Sequence, residues 1–228
     1  MKVSDLIKNR LKENKVRYFA CDNVSDYISD SEREELILEV TNKFNDVLDS
    51  LIIDRENDPN SRETGKRLAK MYINELMEGR YYSEPDSTAF PNDGVKPYEG
   101  MIVIRAEIKS VCSHHWQPVR GVAYIGIIPS KTVIGLSKYI RIAQHTARRG
   151  TLQEELTVSI LDKIKEATQS EDVAVYIEAT HGCCENRGVM AHSSLTQTAL
   201  LSGRFYEKVL KDEFYNNIGL QKRTSGNY

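Results

Sequence analysis

The sequence predicts an α+β protein. A helical N-terminal region is followed by a domain whose elements run strand, strand, helix, helix, strand, strand. Three observations carry this. Residues 3–15, 32–53 and 61–78 have helical character, the apolar side chains of 32–53 falling three or four apart on one helix face. Residues 101–111 and 119–128 then switch to short runs rich in Val, Ile and Tyr, the composition of strands. Two more stretches of helical period separate these from a second strand pair, 173–180 and 194–205.

Taken in order, Ser31 is placed to cap the helix over 32–53, with Glu34 three residues on completing a capping box. Leu36, Val40, Phe44, Val47 and Leu51 form its apolar stripe. Asp58-Pro59 and Asn60-Ser61 turn the chain into the third helix, and Gly79 is placed to end it. Residues 83–100 hold Pro85, Pro91, Pro97, Gly94 and Gly100 with little periodicity. They read as a linker loop between an N-terminal helical region, 1–82, and a domain over 101–228. Pro129-Ser130 turns out of the second strand. Leu136, Tyr139, Ile140, Ala143 and Ala147 give an apolar face to a helix over 136–149, which Gly150 can stop. Leu152, Leu156, Ile160, Leu161 and Ile164 do the same for a helix over 152–168. The end, 206–228, begins as a helix and finishes as a polar tail.

A chain of 228 residues holds one large domain, or one domain with an extension. A net charge of -2 argues against a nucleic-acid partner bound through bulk charge. No apolar run approaches a membrane span, and residues 1–20 lack a signal-peptide core. Four cysteines do not form a disulfide framework in a chain of this size. The expectation is a cytoplasmic protein, off the membrane, with thiols free or metal-bound.

The chemistry gathers in two places. Val111 to Gly121, V-C-S-H-H-W-Q-P-V-R-G, puts a thiol and two imidazoles within four residues. The second place is His181-Gly182-Cys183-Cys184-Glu185-Asn186-Arg187-Gly188. Thiolate and imidazole are the ligands zinc prefers, and two short ligand groups on separate elements can close one site. Cys112 and His115 have C-x-x-H spacing, and a Cys from the second cluster would be a third ligand. Three ligands leave a position for water, as in catalysis; four make a closed structural site. Buried thiols that bind nothing are the ordinary alternative. The H-x-E with P-C-x-x-C pattern of base deaminases is absent.

Lys138, Arg141, His145 and Arg148 recur every three or four residues on one helix face. Such a face is usually just solvated; with Ser137 near the helix start it could also clamp phosphate. Thr151-x-x-Glu154 before an apolar run reads as a capping box. A buried Glu there could instead accept two hydrogen bonds from a guanine edge.

These residues together resemble the GTP cyclohydrolase I family. The resemblance rests on 112–121, Val133-Ile134-Gly135-Leu136-Ser137-Lys138, Gln153-Glu154 with Leu156-Thr157, and His181-x-Cys183 with Arg187-Gly188, in one order. It runs from about 101 to 205, with a weaker match upstream at Thr64-x-x-Arg67-x-Ala69-Lys70-Met71-Tyr72. Ser113 and Gly150-Thr151 depart from the family's usual residues. The resemblance implies a tunnelling fold, an antiparallel sheet with two helices, assembled as a decamer with sites between subunits. It implies hydrolysis and rearrangement of GTP to 7,8-dihydroneopterin triphosphate and formate, an entry to tetrahydrofolate, biopterin or 7-deazaguanine products. By the same match zinc is held by Cys112, His115 and Cys183. His114 and His181 are the proton-transfer histidines, and Ser137 acts on the ribose. Gln153 and Glu154 hold guanine; Lys138, Arg141 and Arg187 hold the triphosphate.

Two other readings stand beside this one. The same fold could act on another purine nucleotide or serve 7-deazaguanine synthesis, as a nitrile reductase does with a nucleophilic Cys and a nicotinamide cofactor; the His pair after Cys112 argues against the latter. Alternatively the chain is a zinc oligomer that binds purine without turnover.

Overall fold

The computed structural model describes residues 2–225 and divides into two compact units, Met1–Ser83 and Glu84–Tyr228. The last three residues of the expected polar tail lie outside the described residues.

The first unit is helical: α1 (Val3–Glu13), α2 (Asp30–Ser50), α3 (Thr64–Lys70), a π-helical stretch Met71–Leu76, and α4 (Glu78–Tyr81). Val3, Ile7 and Leu11 recur every four residues along α1 and pack with Leu36 and Ile37 of α2 and with Ala69 and Ile73. Val47 and Leu51, expected on the buried stripe of α2, are exposed. The cap of α2 is Ser29, not Ser31. Its Oγ accepts from the Glu32 N–H at 3.2 Å, and the Glu32 carboxylate accepts from the Ser29 N–H at 2.9 Å. Two Ser-x-x-Glu pairs overlap here. The earlier one prevails because Glu32 also receives both guanidinium nitrogens of Arg10, at 2.9 and 2.6 Å. Gly79 does not end a helix either. It is buried inside α4 without a left-handed φ, and its carbonyl accepts from Asn23 Nδ2 at 2.9 Å.

The Arg10 guanidinium, followed by the Ser29 N–H, holds the Glu32 carboxyl down to about 2. A carboxyl depressed on folding stabilises fully above its unfolded value, about 4.3, and loses that contribution as pH falls towards 2. Solvent screening limits it to about 1 kcal/mol. Glu32→Gln should therefore lower the urea midpoint at pH 7 and flatten its fall between pH 4.3 and 2. An unchanged acid limb in Glu32→Gln would show that the pair contributes nothing.

The second unit is α+β. A five-stranded sheet has spatial order β5-β2-β3-β6-β7, built from β2 (Ile102–Cys112), β3 (Pro118–Ile127), β5 (Gly150–Thr151), β6 (Val173–His181) and β7 (Thr196–Leu201). β1 (Ala89–Pro91), inside the stretch expected to be a linker, pairs with β4 (Thr132–Ile134). Alternation along the strands sends side chains to opposite faces. Ile104, Ala106, Ile108, Val175 and Ile177 meet α5 (Leu136–Ala147) and α6 (Gln153–Thr168). Tyr124, Ala174 and Tyr176 meet a 3-10 turn, Gly203–Tyr206, and α8 (Lys208–Ser225). β6 is thus covered on both sides, which is why it reads as a continuous apolar run. Gly126 admits α8: a Cβ there would lie 2.7 Å from the Phe214 ring.

Three expectations change in detail. The last strand ends at Leu201, because the chain turns at Gly203, whose φ is +56°. Gly150 does not simply stop a helix; with Thr151 it forms β5. That strand runs parallel to the end of β2, pairing Val111 with Gly150 and Cys112 with Thr151, so the sheet is not wholly antiparallel.

Candidate active site

Three pieces of chain meet at one end of the sheet. β2 ends at Cys112, 5% exposed, and a tight turn returns the chain as β3. The turn is closed by the Cys112 N–H donating to Gln117 O at 3.0 Å and the Trp116 N–H donating to Cys112 O at 2.9 Å. It lifts His114 and His115 into solvent. β6 ends beside it, His181 lying opposite Val119, and turns into α7 (Gly182–Glu185), which carries Cys183 and Cys184. β5 then sets the start of α6 next to Cys112.

The thiols of Cys112 and Cys184 lie close enough to that of Cys183 to raise its pKa. Burial, and then these contacts, push the Cys183 thiol up to about 11. His115 stands apart: its Nε2 is 3.0 Å from Arg187 Nη1. A guanidinium only donates, so that imidazole nitrogen accepts. Among the described residues no three of His, Cys, Asp and Glu lie close enough together to hold a metal ion. Two thiols and an imidazole suit zinc by type, and the two thiols are near enough to perturb one another. His115 would have to give up Arg187 to offer Nε2 to the same ion.

α6 presents consecutive residues in different directions. Glu155, not Glu154, closes the helix start, accepting from the Leu152 N–H at 3.3 Å. The expected box is displaced by one residue because Thr151 is held in β5 beside Cys112, which makes Leu152 the N-cap position. Glu154 is left exposed and close enough to His181 that its charge raises the imidazole pKa. Burial outweighs it, and His181 sits below its ordinary value. Gln153 turns inward, 4% exposed. Its Oε1 is 2.7 Å from His181 Nε2, and its Nε2 donates to Ile177 O, Thr196 O and Thr198 Oγ at 3.3, 3.1 and 3.1 Å. The expected guanine-holding amide is thus engaged inside the fold, because position 153 falls on the buried stripe of α6 with Thr157, Ile160 and Ile164. Thr157, part of the family pattern but given no role there, and Thr198, which sequence reasoning did not single out, complete this network.

Ser137, Lys138 and Arg141 lie on the first turns of α5. Ser137 and Arg141 are exposed, and Lys138 Nζ donates to Asp86 O at 2.5 Å. No hydrogen bond joins these three to the thiol cluster. The structure therefore gathers Cys112, Cys183, His181, Gln153 and Glu154, adds Arg187 and His115 as a pair, and sets Ser137, Lys138 and Arg141 on the first turns of α5, with no hydrogen bond to that group.

No helix of the described residues is long and apolar enough to cross a membrane. The model of a family described as GTP cyclohydrolase I matches residues 40–219. GTP cyclohydrolase 1 of Buchnera aphidicola subsp. Schizaphis graminum is 36% identical over 189 residues, 82% of this chain and 85% of that protein. GTP cyclohydrolase 1 of Aeromonas salmonicida is 39% identical over 159 residues, 70% of this chain and 72% of that protein. A crystal structure of the archaeosine synthase QueF-Like in the apo form covers 47% of this chain and 96% of its own, at 19% identity and a TM-score of 0.39, too loose a likeness to carry weight. On the family match and on relatives sharing more than a third of their residues across most of both chains, the chain belongs to the GTP cyclohydrolase I family of enzymes.

Proposed function

We propose that the protein converts GTP and water to 7,8-dihydroneopterin triphosphate and formate, with zinc held by Cys112, His115 and Cys183. The observation that carries this is the meeting of the Cys112 and Cys183 thiols with His181 and Glu154 at one end of the sheet. Zinc held there would supply Lewis acidity toward water for opening of the purine ring. Glu154, exposed beside His181, accepts two N–H groups from the guanine edge. His181 and His114 move protons during ring opening and closure. Ser137 acts on the ribose, and Lys138, Arg141 and Arg187 take the triphosphate.

Within one chain Lys138, Arg141 and Ser137 make no hydrogen bond to the thiol cluster, which fits a site shared between copies. The tunnelling-fold decamer of the family offers such interfacial sites. Four free cysteines fit a reducing, cytoplasmic setting.

Purified protein loaded with zinc should generate the ultraviolet absorption of a pterin together with formate. Neither product forming from GTP would overturn the proposal. Guanosine should be a very poor substrate, and Arg187→Ala should raise KM for GTP about tenfold or more, since an Arg fork matches phosphate oxygens. Equal affinity for guanosine and GTP in calorimetry would return Lys138 and Arg141 to a solvated helix face.

A further inference from the structure

We propose that Gln153 is a positioning residue: its amide fixes the proton of His181 on Nε2, leaving Nδ1 as the ring nitrogen that can accept a proton. The inference rests on the proposed part of His181 in proton transfer, but the proton's place follows from the network alone.

Which way the Gln153 amide points is decided by its surroundings. Its nitrogen faces two backbone carbonyls, Ile177 O and Thr196 O, at 3.3 and 3.1 Å. Carbonyls only accept. A flipped amide would set its oxygen against both of them inside a buried site, where unpaired acceptors are costly. The third neighbour agrees. Thr157 Oγ donates its one proton to the Gln153 backbone carbonyl at 2.8 Å. The hydroxyl contact between Thr157 and Thr198, 2.7 Å, must then use the Thr198 proton. Thr198 Oγ therefore has only lone pairs left for Gln153 Nε2, at 3.1 Å. With the nitrogen so placed, Oε1 faces His181 Nε2 at 2.7 Å, and an amide oxygen only accepts. The proton must sit on the imidazole Nε2.

The same contacts argue against a guanine contact from this side chain. Gln153 is 4% exposed, and both amide ends are engaged inside the fold. Glu154, one residue on, points outward. Neighbouring residues thus divide the work: one sets a ring nitrogen and the other meets the substrate.

The test uses the full chain as purified, with its metal and with 15N-histidine. His181 is assigned by the signals lost in His181→Asn. The parent should show a protonated Nε2 and a bare Nδ1 in its neutral imidazole; the reverse would overturn the inference. Gln153→Leu should mix the two tautomers, lower kcat at least about tenfold, and leave KM for GTP within about twofold. A tenfold weaker KM with unchanged kcat and tautomer would overturn it and make Gln153 a substrate contact. Thr198→Val removes one amide acceptor and should shift the tautomer in the same direction by less; no shift in either variant would also overturn it. If the parent does not turn over GTP at all, the functional proposal fails, while the tautomer result still decides the role of Gln153.

Discussion

Cys112→Ala and Cys183→Ala should each remove both zinc and turnover, while Cys184→Ala removes neither. The three sulfurs are neighbours, so the sequence pair Cys183-Cys184 alone does not say which one serves. Cys183 is the thiol that feels both of the others. Cys112 is held rigidly at the buried end of β2, paired on one side with Thr151. A metal that takes Cys112 therefore finds Cys183 at its side. Elemental analysis should give about one zinc per parent chain, the stoichiometry of a three-ligand catalytic site, and near none in either of the first two variants. His115→Ala should follow them if the imidazole leaves Arg187 to complete the set. Full zinc in Cys183→Ala with loss in Cys184→Ala would reassign the ligand.

The second large effect separates two adjacent carboxylates. Glu155 caps α6 through the Leu152 N–H and touches Thr151 Oγ at 3.5 Å. Removing it as Glu155→Ala should cost about 1 kcal/mol of stability or less and spare turnover. Glu154 has no such structural duty. Glu154→Gln keeps its size but replaces one acceptor by a donor, which would face an N–H of bound guanine. An unsatisfied donor of that kind costs roughly 1–3 kcal/mol. Turnover should fall at least about tenfold, equivalent to about 1.4 kcal/mol, at an unchanged melting temperature. If Glu154→Gln processes GTP like the parent, guanine is held by other groups.

Periodicity made most of the architecture legible. The apolar stripes of α5 and α6, and the β-rich runs of β2, β3 and β6, sit within one or two residues of their expected spans. Helix starts were less legible because the local code is degenerate. Ser29 and Ser31 each have a Glu three residues on, and only Arg10, from another helix, selects the first. At α6 the choice between Glu154 and Glu155 was made by strand pairing at Thr151. Val47 and Leu51 kept the helical period yet stay exposed within their unit. In the site, the two thiol segments and His181 were legible as ligand-type clusters. The inward turn of Gln153 was in principle legible too, since 153, 157, 160 and 164 share a stripe. The pairing of His115 with Arg187, 72 residues apart, had no local signal.

β5 has a consequence for how this protein can vary. Once β5 pairs Gly150 and Thr151 with the end of β2, only one cap residue, Leu152, precedes α6. An α-helix turns about 100° per residue. Deleting or adding one residue in this link would rotate every later side chain by that angle. Gln153 would leave its pocket beneath His181, Glu154 would swing away from its outward station, and Glu155 would lose the Leu152 N–H. The exposed turn between Asn92 and Tyr98, closed by two hydrogen bonds, carries no such phase and can lengthen freely. The link before α6 can change its residues but not its length: it sets the angular phase of everything the helix delivers.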